Sequence, residues 1–141
     1  MANSQKIRVM VFGTFDGLHK GHSNFFRQAR KLSRNPFLIV SIARDINVKK
    51  IKGKKSRSKE RQRLLAVKNS GLVDKVILGG IKNHIPHIFK EKPDIIALGY
   101  DQQAYVKNLG PQLAKKGLKV KIIRLKSFYP KIYKSSKFAQ N

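Results

Sequence analysis

The sequence predicts one α/β domain over residues 1–141, a parallel sheet of about five strands with helices on both faces. Three observations carry that reading. Short apolar runs alternate with amphipathic stretches along the whole chain. Glycines stand where two of the helical stretches end, at Gly71 and Gly117, as C-caps do. The motif-rich segment 13–22 falls between the first apolar run and the first helical stretch, at the carboxyl end of a strand, where open α/β sheets bind ligands.

The elements follow in order. Residues 7–12 are short, β-branched and bounded by Gly13, which reads as a buried strand; residues 24–32 have the spacing of an amphipathic helix. Residues 37–42 form a second strand. Residues 59–70 carry Leu64, Leu65 and Val67 and form a helix that stops at Gly71. Residues 73–78 are a third strand, 83–90 a helix with Ile85, Ile88 and Phe89 inward, and 94–98 a fourth strand. Residues 103–116 give a helix ending at Gly117, and 119–125 a fifth strand. Residues 44–58 break the pattern. They hold Arg44, Lys49, Lys50, Lys52, Lys54, Lys55 and Arg57 with little apolar content, and are expected to be a long basic loop, either a lid over an anion or merely flexible.

His19-Lys20-Gly21-His22 carries the chemistry. A strand-to-helix turn offers main-chain N–H groups and the positive end of a helix dipole, and Gly21 leaves room for a phosphate to approach. Two imidazoles beside it can donate to phosphate oxygens. Zinc is disfavoured, because the pair lacks a third strong ligand and no HExxH arrangement accompanies it. Nucleotidyl transfer fits better, since it asks mainly for alignment of an attacking oxyanion and stabilisation of charge around the α-phosphorus. His84 and His87 share a helix face without nearby carboxylates and read as a surface pair.

Thirty-two Lys and Arg against seven Asp and Glu give a net charge of +25. Such a chain attracts polyanions, so a non-enzymatic basic module that binds nucleic acid is the competing class, although no nucleic-acid motif accompanies the charge. Without cysteine there is neither a disulfide framework nor a thiolate metal site. No leader is expected before the first strand, and no apolar run reaches the roughly 18–20 residues of a membrane span. A soluble, cytoplasmic protein is expected.

Gly13-Thr14-Phe15-Asp16-Gly17-Leu18-His19-Lys20-Gly21-His22 resembles the HxGH region of the cytidylyltransferase-like nucleotidyltransferases. Residues 58–63 resemble the family helix that opens with an acid and carries a ligand-holding arginine, here Arg63. Residues 93–102 are similar to the strand and turn beside the base in the archaeal FAD synthase branch, and 134–137 to the start of the last helix, whose hydroxyls meet the triphosphate. The resemblance implies a Rossmann-like sheet of the HUP type, ATP as substrate with Mg²⁺, pyrophosphate release, direct attack by a phosphorylated acceptor, and a homodimer. FMN is the acceptor it favours; a CTP-dependent transfer to glycerol phosphate or another polyol phosphate is the alternative.

The implied roles are catalytic for His19 and His22. Thr14, Phe15, Gly21, Lys52, Arg63, Gly99, Asp101, Ser135 and Ser136 are implied to bind nucleotide, with no protein-held metal. Asp101 also reads as a helix cap, and Ser135 and Ser136 as N-caps. Phe128, Tyr129 and Tyr133 can stack on a flavin or seal the core. The segment after Ser136 is short and has Phe138 in place of a β-branched residue, so the acceptor side departs from the family pattern.

Overall fold

The structure, a computed structural model, describes residues 5–100, 102 and 108–126. Five strands alternate with five helices: β1 (Ile7–Gly13), α1 (Lys20–Arg30), β2 (Pro36–Ile42), α2 (Asp45–Lys52), α3 (Glu60–Asn69), β3 (Lys75–Leu78), α4 (Ile85–Glu91), β4 (Ile95–Leu98), α5 (Leu109–Lys115) and β5 (Lys121–Arg124). All pairings are parallel, in the order β3-β2-β1-β4-β5. β1 is therefore central, and the direction of winding reverses between β1 and β4.

Strand alternation builds a separate core on each face. Val9, Val11, Leu38, Val40 and Ile42 point to one side, where Phe26 and Ala29 of α1 and Val67 of α3 cover them. Met10, Ile39, Ile96 and Leu98 point to the other, under Ile85 and Ile88 of α4 and Leu109 and Leu113 of α5. Each such side chain contributes about 1.5–3 kcal/mol over exposure. Surface pairs between lysine and acid contribute at most about 1 kcal/mol each, so these two layers hold the fold.

Asp74 and Asp94 fasten the amino ends of the strands. Each stands just before a strand and accepts a main-chain N–H from the neighbouring one, from Leu38 and from Arg8, both at 2.8 Å. Arg30 adds an ion pair to Asp74 at 2.7 Å, and Arg8 and Lys75 both pair with Glu91.

Four expectations need correction. The basic segment is not a long loop: Asp45–Lys52 is helix α2, held by buried Asn47 and Val48 and ended by Gly53 at φ +75, which leaves only 53–59 as loop. Helix α1 begins at Lys20 rather than near residue 24, because His19 caps it. His84 and His87 are not a surface pair. His87 is half-buried, with Nε2 3.0 Å from Ser41 Oγ and its ring edge-on to Phe12, and burial holds its pKa down to about 4. Strands β3 and β5 are also shorter than the apolar runs that announce them, four residues each.

Candidate active site

The site begins where β1 stops. After Gly13 the chain turns sharply, with Phe15 at φ +54 and Gly17 at φ +75. A left-handed aromatic residue costs about 1–2 kcal/mol, and packing offsets that cost. Phe15 is 5% exposed, and its ring meets Phe26 at 5.1 Å between centroids and the His22 ring edge-on at 5.3 Å. The ring folds back under Gly13, where an added Cβ would stand 2.6 Å from it. Gly13 is thus required by the packing of Phe15, and Phe15 in turn packs against His22.

The two histidines cap α1 reciprocally. His19 is the N-cap, in extended conformation, and its Nδ1 accepts the N–H of Gly21 at 3.0 Å; His22 Nδ1 accepts the N–H of His19 at 3.3 Å. Their rings stack with centroids 3.8 Å apart. An imidazole nitrogen that accepts a hydrogen bond carries no proton, so each neutral ring holds its proton on Nε2. Burial, then the charges of His19 and Lys52, push the His22 pKa down to about 3, and burial lowers that of His19. The pair is therefore neutral at physiological pH, with two fixed tautomers.

The remaining predicted residues gather unevenly around this pair. Lys52, in the last turn of α2, is close enough for its charge to depress the His22 pKa. Gly21 lies in the first turn of α1, with its N–H already engaged by His19. Thr14 is half-buried, and its carbonyl accepts from Arg63 Nη1 at 2.9 Å. The Arg63 side chain is fully buried, and it also donates to Ser58 O at 3.0 Å and Asp45 Oδ1 at 2.6 Å. Its guanidinium braces the Thr14 carbonyl. Gly99 stands at the switch point beyond β4. Its N–H donates to Gln102 Oε1 at 2.7 Å, while Gln102 Nε2 donates to Phe12 O at 2.6 Å, so Gln102 bridges β4 to β1. Asp101, Ser135 and Ser136, with Phe128, Tyr129, Tyr133 and Phe138, lie outside the described residues.

Two residues with structural work here were not singled out by their sequence pattern. Asp16 accepts the main-chain N–H groups of Arg57 and Ser58, which ties the loop after α2 to the turn before His19. Arg124 donates to the carbonyls of Gly99 at 2.8 Å and Gln102 at 2.9 Å and so fixes the turn beyond β4. Scarcity was a usable signal for Asp16, since a chain with seven acids and 32 bases places few of them idly. Arg124 gave none, being one base among many.

The described carboxylates are committed to such work. Asp16, Asp45, Glu60, Asp74, Glu91 and Asp94 all accept hydrogen bonds from main-chain or cationic groups. Among the described residues no cluster of three His, Cys, Asp or Glu could hold a metal ion. No described helix is long and apolar enough to cross a membrane.

Residues 10–141 match the family model described as cytidylyltransferase-like. The chain is 47% identical over 118 residues to an FAD synthase of Methanosarcina barkeri, covering 84% of this chain and 82% of that one. It is 44% identical over 122 residues to an FAD synthase of Korarchaeum cryptofilum, covering 86% and 82%. Among solved structures it resembles a lipopolysaccharide core biosynthesis protein of Thermoplasma volcanium, with a TM-score of 0.81, 36% identity and coverage of 88% and 99%. A pantoate-beta-alanine ligase of Francisella tularensis shares the fold, at TM-score 0.55 and 17% identity over 89% of this chain and 60% of that one. A parallel sheet that reverses beside β1, a capped His-x-Gly-His at the first helix and these similarities agree: the chain belongs to the cytidylyltransferase-like family of nucleotidyltransferases.

Proposed function

We propose that the chain is an ATP:FMN adenylyltransferase, an FAD synthase, and that the neutral His19–His22 pair is its reaction centre. The tautomer-fixed pair at the amino end of α1 carries this reading. A phosphate oxygen of FMN attacks the α-phosphorus of ATP, the bond from that phosphorus to the bridging oxygen of the β-phosphate breaks, and pyrophosphate leaves. Negative charge grows on the α-phosphate oxygens and on the departing oxygen. Two Nε2–H donors held in place before the substrate arrives stabilise that charge without reorganising, and in a site shielded from water each counts for more than in solution. No covalent intermediate on the protein is required.

The other roles follow position. Thr14 and Phe15 present main-chain N–H groups to the phosphates, Gly21 keeps the first turn of α1 open, and Lys52 meets the β- and γ-phosphates. Gly99 and Asp101 hold the base and ribose, and Ser135 and Ser136 the triphosphate from the far end of the chain. Arg63 serves by holding Thr14. Magnesium enters on the triphosphate as part of the substrate. FAD synthase relatives at 44% and 47% identity support FMN as acceptor and ATP as donor. A cytoplasmic homodimer without specific nucleic-acid binding belongs to the same reading.

Pyrophosphate release tests it: the chain is incubated with Mg²⁺, ATP or CTP, and FMN or glycerol phosphate. The expected result is turnover with ATP and FMN and the appearance of FAD. Turnover confined to CTP and glycerol phosphate would replace the substrates, and none with any pair would remove the enzyme reading.

A further inference from the structure

The basic segment beside the histidine pair is locked at its base. Asp45 and Glu60 occupy the first positions of α2 and α3, and each accepts the other's main-chain N–H. Glu60 Oε1 takes Asp45 N–H at 2.9 Å, and Asp45 Oδ2 takes Glu60 N–H at 3.2 Å. Each carboxylate thus satisfies an orphan donor of the other helix and lies at its positive end. Their second oxygens are also engaged, Glu60 Oε2 with Arg44 Nε at 3.0 Å and Asp45 Oδ1 with buried Arg63 at 2.6 Å. Between the two helices, Asp16 holds the N–H groups of Arg57 and Ser58.

What the lock restrains is a run of like charge. Lys49, Lys50, Lys52, Lys54, Lys55, Arg57 and Lys59 are all exposed, and no acid lies between residues 46 and 59. An isolated helix of eight residues does not persist in water, and mutual repulsion works against this one further. Its outer face carries no compensating acid, so its place beside His22 depends on its base and on buried Asn47 and Val48.

We propose that Asp45 and Glu60 are positioning residues for the triphosphate. By capping one another they hold the lysines of α2 where they meet the β- and γ-phosphates, and they set nucleotide affinity rather than the rate of the chemical step. The inference rests on the reading of this site as a triphosphate centre. A structural role alone would lower stability and touch all kinetic parameters together. Preorganisation of a binding segment acts on affinity, because the ordering cost is met before the ligand arrives.

The test compares full-length wild type, Glu60→Ala and Glu60→Gln. Binding of Mg·ATP and of inorganic tripolyphosphate is measured by calorimetry, KM and kcat by pyrophosphate release, and melting temperature separately. Glu60→Ala should weaken both anions and raise the ATP KM by roughly tenfold, with kcat and the FMN KM within twofold. Glu60→Gln keeps an acceptor oxygen for the Asp45 N–H and should recover most of the loss. The inference is overturned if Glu60→Ala binds both anions as wild type does, or if Glu60→Gln is as impaired as Glu60→Ala. It is equally overturned if the FMN KM and kcat change in proportion. Should Glu60→Ala fail to fold, Glu60→Gln, Asp45→Asn and the double variant decide: each single change is expected to raise the Kd for tripolyphosphate less than threefold and the double by more than the product of the two, and a double variant no weaker than that product overturns it. Wild type that binds both anions but never releases pyrophosphate sinks the proposed reaction and leaves the positioning claim to the binding data. Wild type that binds neither sinks both.

Discussion

At the level of single residues, the site depends on where protons sit. Both imidazoles use Nδ1 to cap their own helix, which puts the proton of each neutral ring on Nε2. Removing either donor by His19→Ala or His22→Ala is expected to lower kcat about 10²–10³-fold, roughly 2.7–4 kcal/mol; wild-type rates in both variants would place the chemistry elsewhere. The same neutrality has a cost in acid. His22 and His87 have pKa values pushed down to about 3 and about 4, against 6.5 for free imidazole. The unfolded chain therefore takes up protons first, so their contribution to stability is complete above pH 6.5 and is lost as pH falls toward 4 and then 3. Melting temperature should decline between pH 6.5 and 4.5, less steeply in His87→Gln, and a flat profile would contradict the burial of these rings. The place of the histidine pair at a strand-to-helix turn was legible, because the apolar run, Gly13 and the His-x-Gly-His spacing announce it. The buried position of Arg63 was not, since an arginine that braces a carbonyl and one that grips a phosphate look the same in sequence.

At the level of elements, the informative case is α2. Lysine density suggested a loop, yet Asn47 and Val48 form an inward face, and Gly53 is the same kind of stop that Gly71 and Gly117 mark elsewhere. Charge counting hid a helix that the glycine announced. Gly53 has φ +75 and open space around its Cβ position, so Gly53→Ala should cost only the backbone penalty, about 1–2 kcal/mol by chemical denaturation. No loss would mean that α2 does not end in a left-handed cap. The strands were easier to place than their ends. Edge strands β3 and β5 pair on one side only and stop at four residues, although the apolar runs around them extend further.

Over the whole molecule, the alternation of strands and helices was enough to predict a parallel sheet, because such sheets need continuous apolar runs and cover on both faces. The order β3-β2-β1-β4-β5 was not readable that way; it depends on which edges pair, and tight pairing of β1 with both β2 and β4 decides it. The net charge of +25 belongs to this scale too. Most of the described cations are exposed and far outnumber the described carboxylates, so self-repulsion opposes the compact state at low ionic strength and salt relieves it. Raising NaCl from about 10 mM to about 300 mM is expected to stabilise the chain by about 1 kcal/mol, seen as a rise in melting temperature of roughly 3–5 °C. A fall would show that ion pairs outweigh repulsion.

The commitment of the described carboxylates also bears on how this sequence can drift. Asp74, Glu91 and Asp94 join strand beginnings, while Asp16, Asp45 and Glu60 join the turn before the histidines to the segment that carries the lysines. An exposed lysine away from α2 can be exchanged for arginine, glutamine or serine with little consequence, since its neighbours supply the same field. A lost acid leaves main-chain donors or a buried guanidinium without a partner. In a lineage that accumulates basic residues the lysines away from α2 are interchangeable and the acids are not. The chain can therefore grow more positive or less so over time around six nearly fixed points of negative charge.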